Sequence, residues 1–174
     1  MNLIEPHLIS QYFKKLKKNN TLTLNDIKNK LEHYCAYQER CYKEVEDKLF
    51  SFNLNQDEKE TILISLIENN FINEERFAKS FVRGKHHYKN WGKVRIVNEL
   101  KFRNISSRLI ETALKEIDSD LYFNHFNQLA DKQWENLKDP KGQKRNKKFV
   151  DFLIRKGYES QFIYDKLNEL NSQK

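Results

Sequence analysis

Between Arg76 and Arg108 the chain carries Arg76, Lys79, Arg83, Lys85, Lys89, Lys93, Arg95, Lys101, Arg103 and Arg108 against a single acid, Glu99. Such side chains neutralise anions. Arg does so through a planar fork that fits phosphate and carboxylate alike. Trp91 stands within this run, in Tyr88-Lys89-Asn90-Trp91-Gly92-Lys93. An aromatic between cations can stack on a base, enter a protein groove, or pack in the hinge between two helices, and these readings stay open. A second basic run, Lys141 to Lys156, sets Lys144, Arg145, Lys147, Lys148 and Arg155 beside Phe149, Phe152, Leu153 and Ile154. Its cations read as a solvated face more than a functional one.

Other reactive residue types do not combine into a catalytic pattern. Cys35 and Cys41 lie six apart, too far for a Cys-x-x-Cys redox or zinc pair. Cys35 reads as a small buried residue, and Cys41 occupies a helix-cap position where Ser would be expected. His86 and His87 are helix neighbours, so their rings diverge by about 100° and share a metal poorly. His33 and His125 carry no pattern. Gly142-Gln143-Lys144 lacks the strand and spacing of a phosphate loop. No paired carboxylates stand beside the basic cluster as a metal-dependent nuclease needs, and no Ser, His and Asp motif is present. The expectation is a binding protein, with no enzymatic activity, cofactor or metal.

These residues need elements to position them. Four Gly and two Pro among 174 residues are too few for the tight turns of a β-rich fold. Lys, Glu, Leu, Asn and Ile in periodic runs point to helices with short connections. Caps mark their starts: Thr23 before an acidic turn, Asn55 with Glu58, Asn73 before Glu74-Glu75, and Ser106 and Ser160 before apolar runs. Helices are expected at about 24–38, 42–52, 56–69, 74–89, 92–103, 107–118, 120–137, 142–156 and 160–171. A further amphipathic stretch over about 6–18 holds Leu8, Ile9, Tyr12, Phe13 and Leu16 beside Lys14, Lys15, Lys17 and Lys18.

The chain repeats itself. A shift of 51 residues, then of a further 53, places Val45 on Ile96 and Phe149, and Leu49 on Leu100 and Leu153. Leu54 falls on Ile105 and Tyr158, Leu63 on Leu114 and Leu167, and Leu66 on Ile117 and Leu170. Asn53, Asn104 and Gly157 align between them, residue types that tolerate the left-handed end of a helix. Each copy reads as a helix, a left-handed stop, an apolar staple, a cap and a helix, with a third helix ahead. The expected fold is all-α: an elongated, curved tandem array of three three-helix, helix-turn-helix-like modules over residues 23–72, 73–118 and 119–174, after an N-terminal helical extension, 1–22.

Charge divides unevenly along this array. Residues 26–70 hold ten acids and six bases, whereas 71–118 hold six acids and eleven bases and 119–174 eight acids and eleven bases. The whole chain carries +7. On the helix after Asn73, Phe77, Phe81, Gly84 and Tyr88 share one stripe, expected to be core. Arg76, Lys79, Ser80, Arg83 and His87 lie roughly opposite. A merely solvated face usually mixes signs, so the lack of local acids points to an anion-binding face. Two cysteines cannot build a disulfide framework, and the N-terminus lacks a basic region followed by an apolar core. No long uncharged apolar run is present. A cytoplasmic location with no membrane attachment is expected.

One string is more specific. Asn73-Glu74-Glu75-Arg76-Phe77-Ala78-Lys79-Ser80-Phe81-Val82-Arg83, then Trp91-Gly92-Lys93-Val94-Arg95-Ile96 and Glu99-Leu100, resembles the central signature of the RecX family, regulators of the RecA recombinase. Glu39-Arg40-Cys41-Tyr42-Lys43-Glu44-Val45 resembles the first-module segment of that family, and Phe152-Leu153-Ile154-Arg155-Lys156-Gly157-Tyr158 its third. The resemblance covers about residues 24–171. Cys41 replaces a frequent Ser, and Asn73 one member of a frequent acidic pair. The resemblance implies a monomeric, non-enzymatic modulator of the RecA filament on single-stranded DNA, depressing ATP hydrolysis and strand exchange. The expected contact residues are Arg76, Arg83, Lys85, Lys89, Trp91, Lys93, Arg95 and Arg103, facing recombinase or DNA, single- or double-stranded. The alternatives are a stand-alone DNA-binding protein with helix-turn-helix-like modules and a protein–protein adaptor.

Overall fold

A computed structural model describes residues 22–172. The amphipathic stretch at 6–18 lies outside them. Among the described residues there are nine helices and no strand: α1 (Leu24–Tyr37), α2 (Tyr42–Leu49), α3 (Gln56–Glu68), α4 (Glu74–Lys89), α5 (Lys93–Phe102), α6 (Ser107–Leu114), α7 (Ser119–Asn136), α8 (Gln143–Lys156) and α9 (Ser160–Ser172). Each expected helix is present, with α2 and α6 about a turn shorter at the C-terminus, ending at Leu49 and Leu114. Thr23 with Asp26 and Asn55 with Glu58 form reciprocal capping boxes. Asn73, Ser106 and Asp118 accept from the backbone amides of Arg76, Leu109 and Leu121, satisfying helix-start donors that would otherwise lack partners.

The repeat survives folding. Val45, Ile96 and Phe149 are wholly buried, as are Leu49, Leu100 and Leu153. Helix-to-helix packing is densest inside each consecutive triplet: α1 and α2 on α3, α4 on α5 and α6, α8 on α7 and α9. Asn104 (φ 61°) and Gly157 (φ 86°) take the left-handed conformation expected of them. The next amide in each case reaches back to the helix, Ile105 to Leu100 at 3.1 Å and Tyr158 to Leu153 at 3.2 Å.

Asn53 does not adopt that conformation. Helix α2 stops at Leu49, and Phe50, Ser51 and Phe52 close it with amides bonded to Glu46, Lys48 and Leu49. Tight bonds of this kind satisfy the final carbonyls without a left-handed residue. Two stops emerge elsewhere, Asn70 (φ 58°) after α3 and Asn90 (φ 51°) after α4. Cys41 adopts the extended backbone of a cap but its side chain makes no capping bond, being fully buried. Glu74 of α4 instead accepts from the amide of Tyr42 at 2.7 Å, tying α2 to the second triplet.

The two joints between triplets differ in kind. The apolar core runs unbroken from Phe77 and Val82 through Ile96 and Phe126 to Phe149 and Leu170, so the second and third triplets share it. The amides of Gly92 and Val94, at the start of α5, donate to Lys156 and Gly157 at the end of α8 (2.9 and 3.1 Å). A Cβ at Gly92 would lie 2.2 Å from the Gly157 carbonyl oxygen, and a Cβ at Gly157 2.2 Å from that of Arg95. Both glycines permit this close approach. The first triplet has its own core, Ile27, Leu31, Val45, Leu49, Ile62 and Leu66 among others. It meets the second largely through polar groups, Glu39 with Arg76 and Glu44 with Arg103.

Candidate functional site

Helix α4 carries most of the residues in question, and which side it buries decides the site. Its buried side chains are Phe77, Ala78, Val82 and His86. The stripe Phe77, Phe81, Gly84 and Tyr88 was expected to be core. Only Phe77 is; Tyr88 is 85% exposed. The buried face is rotated because His86, at 1% exposure, takes an interior place that a charged helix does not advertise. Its Nδ1 lies 3.2 Å from the Trp91 carbonyl oxygen, and its Nε2 3.0 Å from Nδ1 of His125. Because a carbonyl only accepts, His86 holds its proton on Nδ1 and its Nε2 accepts a hydrogen bond from Nδ1–H of His125. Two histidines without local pattern therefore brace the hinge from within.

The run without acids acquires acids from other segments. Arg76 Nε donates to Glu39 at 2.7 Å, Arg83 to Glu116 at 2.8 Å, and Arg103 to Glu44 and Glu99 at 3.2 and 2.7 Å. Lys79 pairs with Glu75 at 2.7 Å. Three of the four guanidiniums on the expected contact surface are thus ion-paired, two of them across the joint to the first triplet. Among the described residues, no carboxylate pairs with Lys85, Lys89, Lys93 or Arg95.

Four expected residues come together with one that was not expected. Arg103 lies 5.0 Å from the Phe81 ring centre and Lys85 5.0 Å from the same ring. Lys85 is also 5.1 Å from the Trp91 ring, against which Arg95 stacks at 3.9 Å. Phe81 meets Trp91 edge-on, 6.3 Å between centres. Arg103, Phe81, Lys85, Trp91 and Arg95 form one ladder of alternating cations and rings, each cation drawn to a ring face. Trp91 is half-buried in this ladder, so it packs in the hinge and braces cations at once. Lys93 stands apart over Tyr122, at 4.5 Å, while its amide donates to the Tyr122 hydroxyl, which donates to Glu159 at 2.6 Å.

Lys156 arrives from α8 and donates to the Lys89 carbonyl at 3.0 Å. Burial pushes its ammonium below the ordinary lysine value, and the charges of Arg95 and Lys89 push the same way. The third triplet thereby adds a cation beside the ladder. Three other cations of the second basic run turn to structure: Lys144 and Lys148 hold Asp139, and Arg145 donates to the Trp134 and Asp139 carbonyls.

A groove of about 420 Å³ opens beside the ladder, between α4 and the first triplet. Lys85, Lys89 and Arg103 line it with Phe81, Gly84, Tyr88, Arg40, Glu39 and Glu44. Its aromatic and glycine members follow the stripe legible in the sequence; the open groove in front of that stripe was not. The cysteines offer no chemistry here: burial pushes both thiols up to about 11. Among the described residues, no helix is long and apolar enough to cross a membrane.

Residues 73–114, which contain α4, α5 and α6, match the family model for the second three-helix domain of RecX. The regulatory protein RecX of Vibrio parahaemolyticus is 33% identical over 115 residues, 66% of this chain and 72% of that protein. That of Streptococcus uberis is 29% identical over 145 residues, 83% of this chain and 54% of that protein. The chain thus spans about half the length of some curated relatives. A crystal structure of RecX from Lactobacillus salivarius superposes with a TM-score of 0.69 at 27% identity, covering 85% of this chain and 96% of that one. The helical repeat, the matched second triplet and the extent of shared sequence together make this chain a member of the RecX family.

Proposed function

We propose that this protein binds the RecA recombinase filament on single-stranded DNA and inhibits its ATPase and strand exchange, without catalytic activity of its own. Family membership supports the class of partner. The observation that carries the surface is the set of cations without carboxylate partners at the joint where the second and third triplets share a core: Lys85 and Arg95 on Trp91, Lys156 bonded to the Lys89 carbonyl, and Lys93 over Tyr122. Cations without carboxylate partners on a rigid joint are available to phosphate or to acidic protein surface. Arg76, Arg83 and Arg103 serve first to hold the triplets in place.

The test is the single-stranded-DNA-dependent ATPase rate of the cognate recombinase, titrated with substoichiometric protein. A fall at low ratios is expected. The double variant Lys89→Glu, Lys93→Glu should remain folded, because Lys89 is exposed and Glu suits the start of α5. It is expected to need about tenfold more protein for the same inhibition, two lost charge contacts contributing ~1.4 kcal/mol together. An unchanged titration curve for the folded variant removes this surface from the mechanism. No effect of the wild type, alongside tight salt-sensitive DNA binding, would favour the stand-alone DNA-binding reading.

A further inference from the structure

The groove beside α4 has features that inhibition through surface charge does not use. Gly84 sits in the interior of a sixteen-residue helix, where glycine is a destabilising choice. A Cβ there would have nothing within 4 Å, so no neighbour requires its absence. The glycine keeps the groove floor open. Phe81 and Tyr88 flank it one turn to either side, and Tyr88 is almost fully exposed. Lys85 and Lys89 follow on the same face, with no carboxylate partner among the described residues. On the opposite wall Glu39 is paired with Arg76, and Glu44 with Arg103 at 3.2 Å and Arg40 at 3.6 Å; the second carboxylate oxygen of each is buried without a hydrogen bond.

We propose that this groove is a nucleobase site: an unpaired base of single-stranded DNA enters over Gly84, stacks on the exposed Tyr88 ring, and leaves its flanking phosphates on Lys85 and Lys89. The combination of walls chooses among occupants. Glu39 and Glu44 are already paired with arginines, so the lining is cationic overall and suits the phosphates of a strand. A base is neutral and offers a π-face to the exposed Tyr88 ring. Paired bases cannot enter, so the site selects single strands. A volume of about 420 Å³ falls within the usual range for small-ligand sites. This deepens the preceding reading by naming a DNA contact, but its test needs no recombinase, so either can fail alone.

The experiment measures fluorescence anisotropy of a labelled oligo-dT of about twelve nucleotides, a length spanning typical single-strand sites, against an all-abasic strand of equal length and against duplex. The full chain is used at low salt. The wild type is expected to prefer oligo-dT over the abasic strand by about tenfold, the contribution of one stacked base. Gly84→Leu fills the floor, keeps every charge and favours the helix; it should abolish that preference while leaving abasic binding unchanged. Tyr88→Ala, at an exposed position, should reduce the preference several-fold. Equal binding of both strands by the wild type, or no binding of either, overturns the proposal. So does a Gly84→Leu variant that retains the preference. If Gly84→Leu leaves DNA binding intact but loses ATPase inhibition, the occupant is a protein segment and the nucleobase site is again overturned.

Discussion

Burial pushes the His86 imidazole below its ordinary value of 6.5; its bond to Trp91 opposes the shift, and His125, His87 and Lys93 add to it. The groups packed around it are thus two further histidines, a lysine and the Tyr122 ring, 5.4 Å away. Its folded pKa is depressed, so its stabilising contribution is full above 6.5 and is lost as pH falls through the lower folded value. Thermal stability should decline on acidification below 6.5, and His86→Phe should flatten that slope despite losing two hydrogen bonds. A His86→Phe melting profile as steep as that of the wild type would assign the pH dependence to other groups. At this scale the sequence could nominate Trp91, Lys85 and Arg95. It could not show that they stack on one another, because their meeting depends on where α5 turns back along α4.

At the scale of elements, two glycines on similar helices have opposite meanings. Gly157 is left-handed and closes on Arg95, so Gly157→Ala combines a conformational cost of roughly 1–2 kcal/mol with a steric one. Urea unfolding should show a loss of at least about 2 kcal/mol, carried by the joint of α5 and α8. Gly84 is helical and open, so Gly84→Ala should gain about 0.5–1 kcal/mol in the same measurement. A loss at Gly84 or neutrality at Gly157 contradicts this account. Caps, helix positions and two of the three aligned stops were legible locally, since each depends on a few adjacent residues. Asn53 was misread because alignment with Asn104 and Gly157 does not force α2 to run as long as α5 or α8. The α4 stripe was legible as a face, but its burial was not. Which side of a helix is covered depends on neighbours more than thirty residues away, such as Glu39, Glu116 and His125.

Across the whole molecule the two joints should respond differently to salt. The second and third triplets share apolar contacts and backbone hydrogen bonds, which screening leaves intact. The first triplet is held by Glu39 with Arg76, Glu44 with Arg103 and the Tyr42 amide with Glu74, partly exposed polar contacts of which the ion pairs are worth ~1 kcal/mol each. Hydrogen exchange in molar salt should therefore accelerate at the start of α2 and in the 38–41 connection while α5 and α8 keep their protection. Uniform acceleration would refute a polar hinge. The amino-acid sequence by itself determined the helices, the threefold repeat and the segment of concentrated charge, which follow from local periodicity and composition, while the string from Asn73 to Leu100 carries the family resemblance. Tertiary structure alone decided which cations keep their charge available. Acids distant in the chain reach Arg76, Arg83 and Arg103 but leave Lys85, Lys89, Lys93 and Arg95 without a carboxylate, and Coulomb attraction depends on separation in space rather than along the chain.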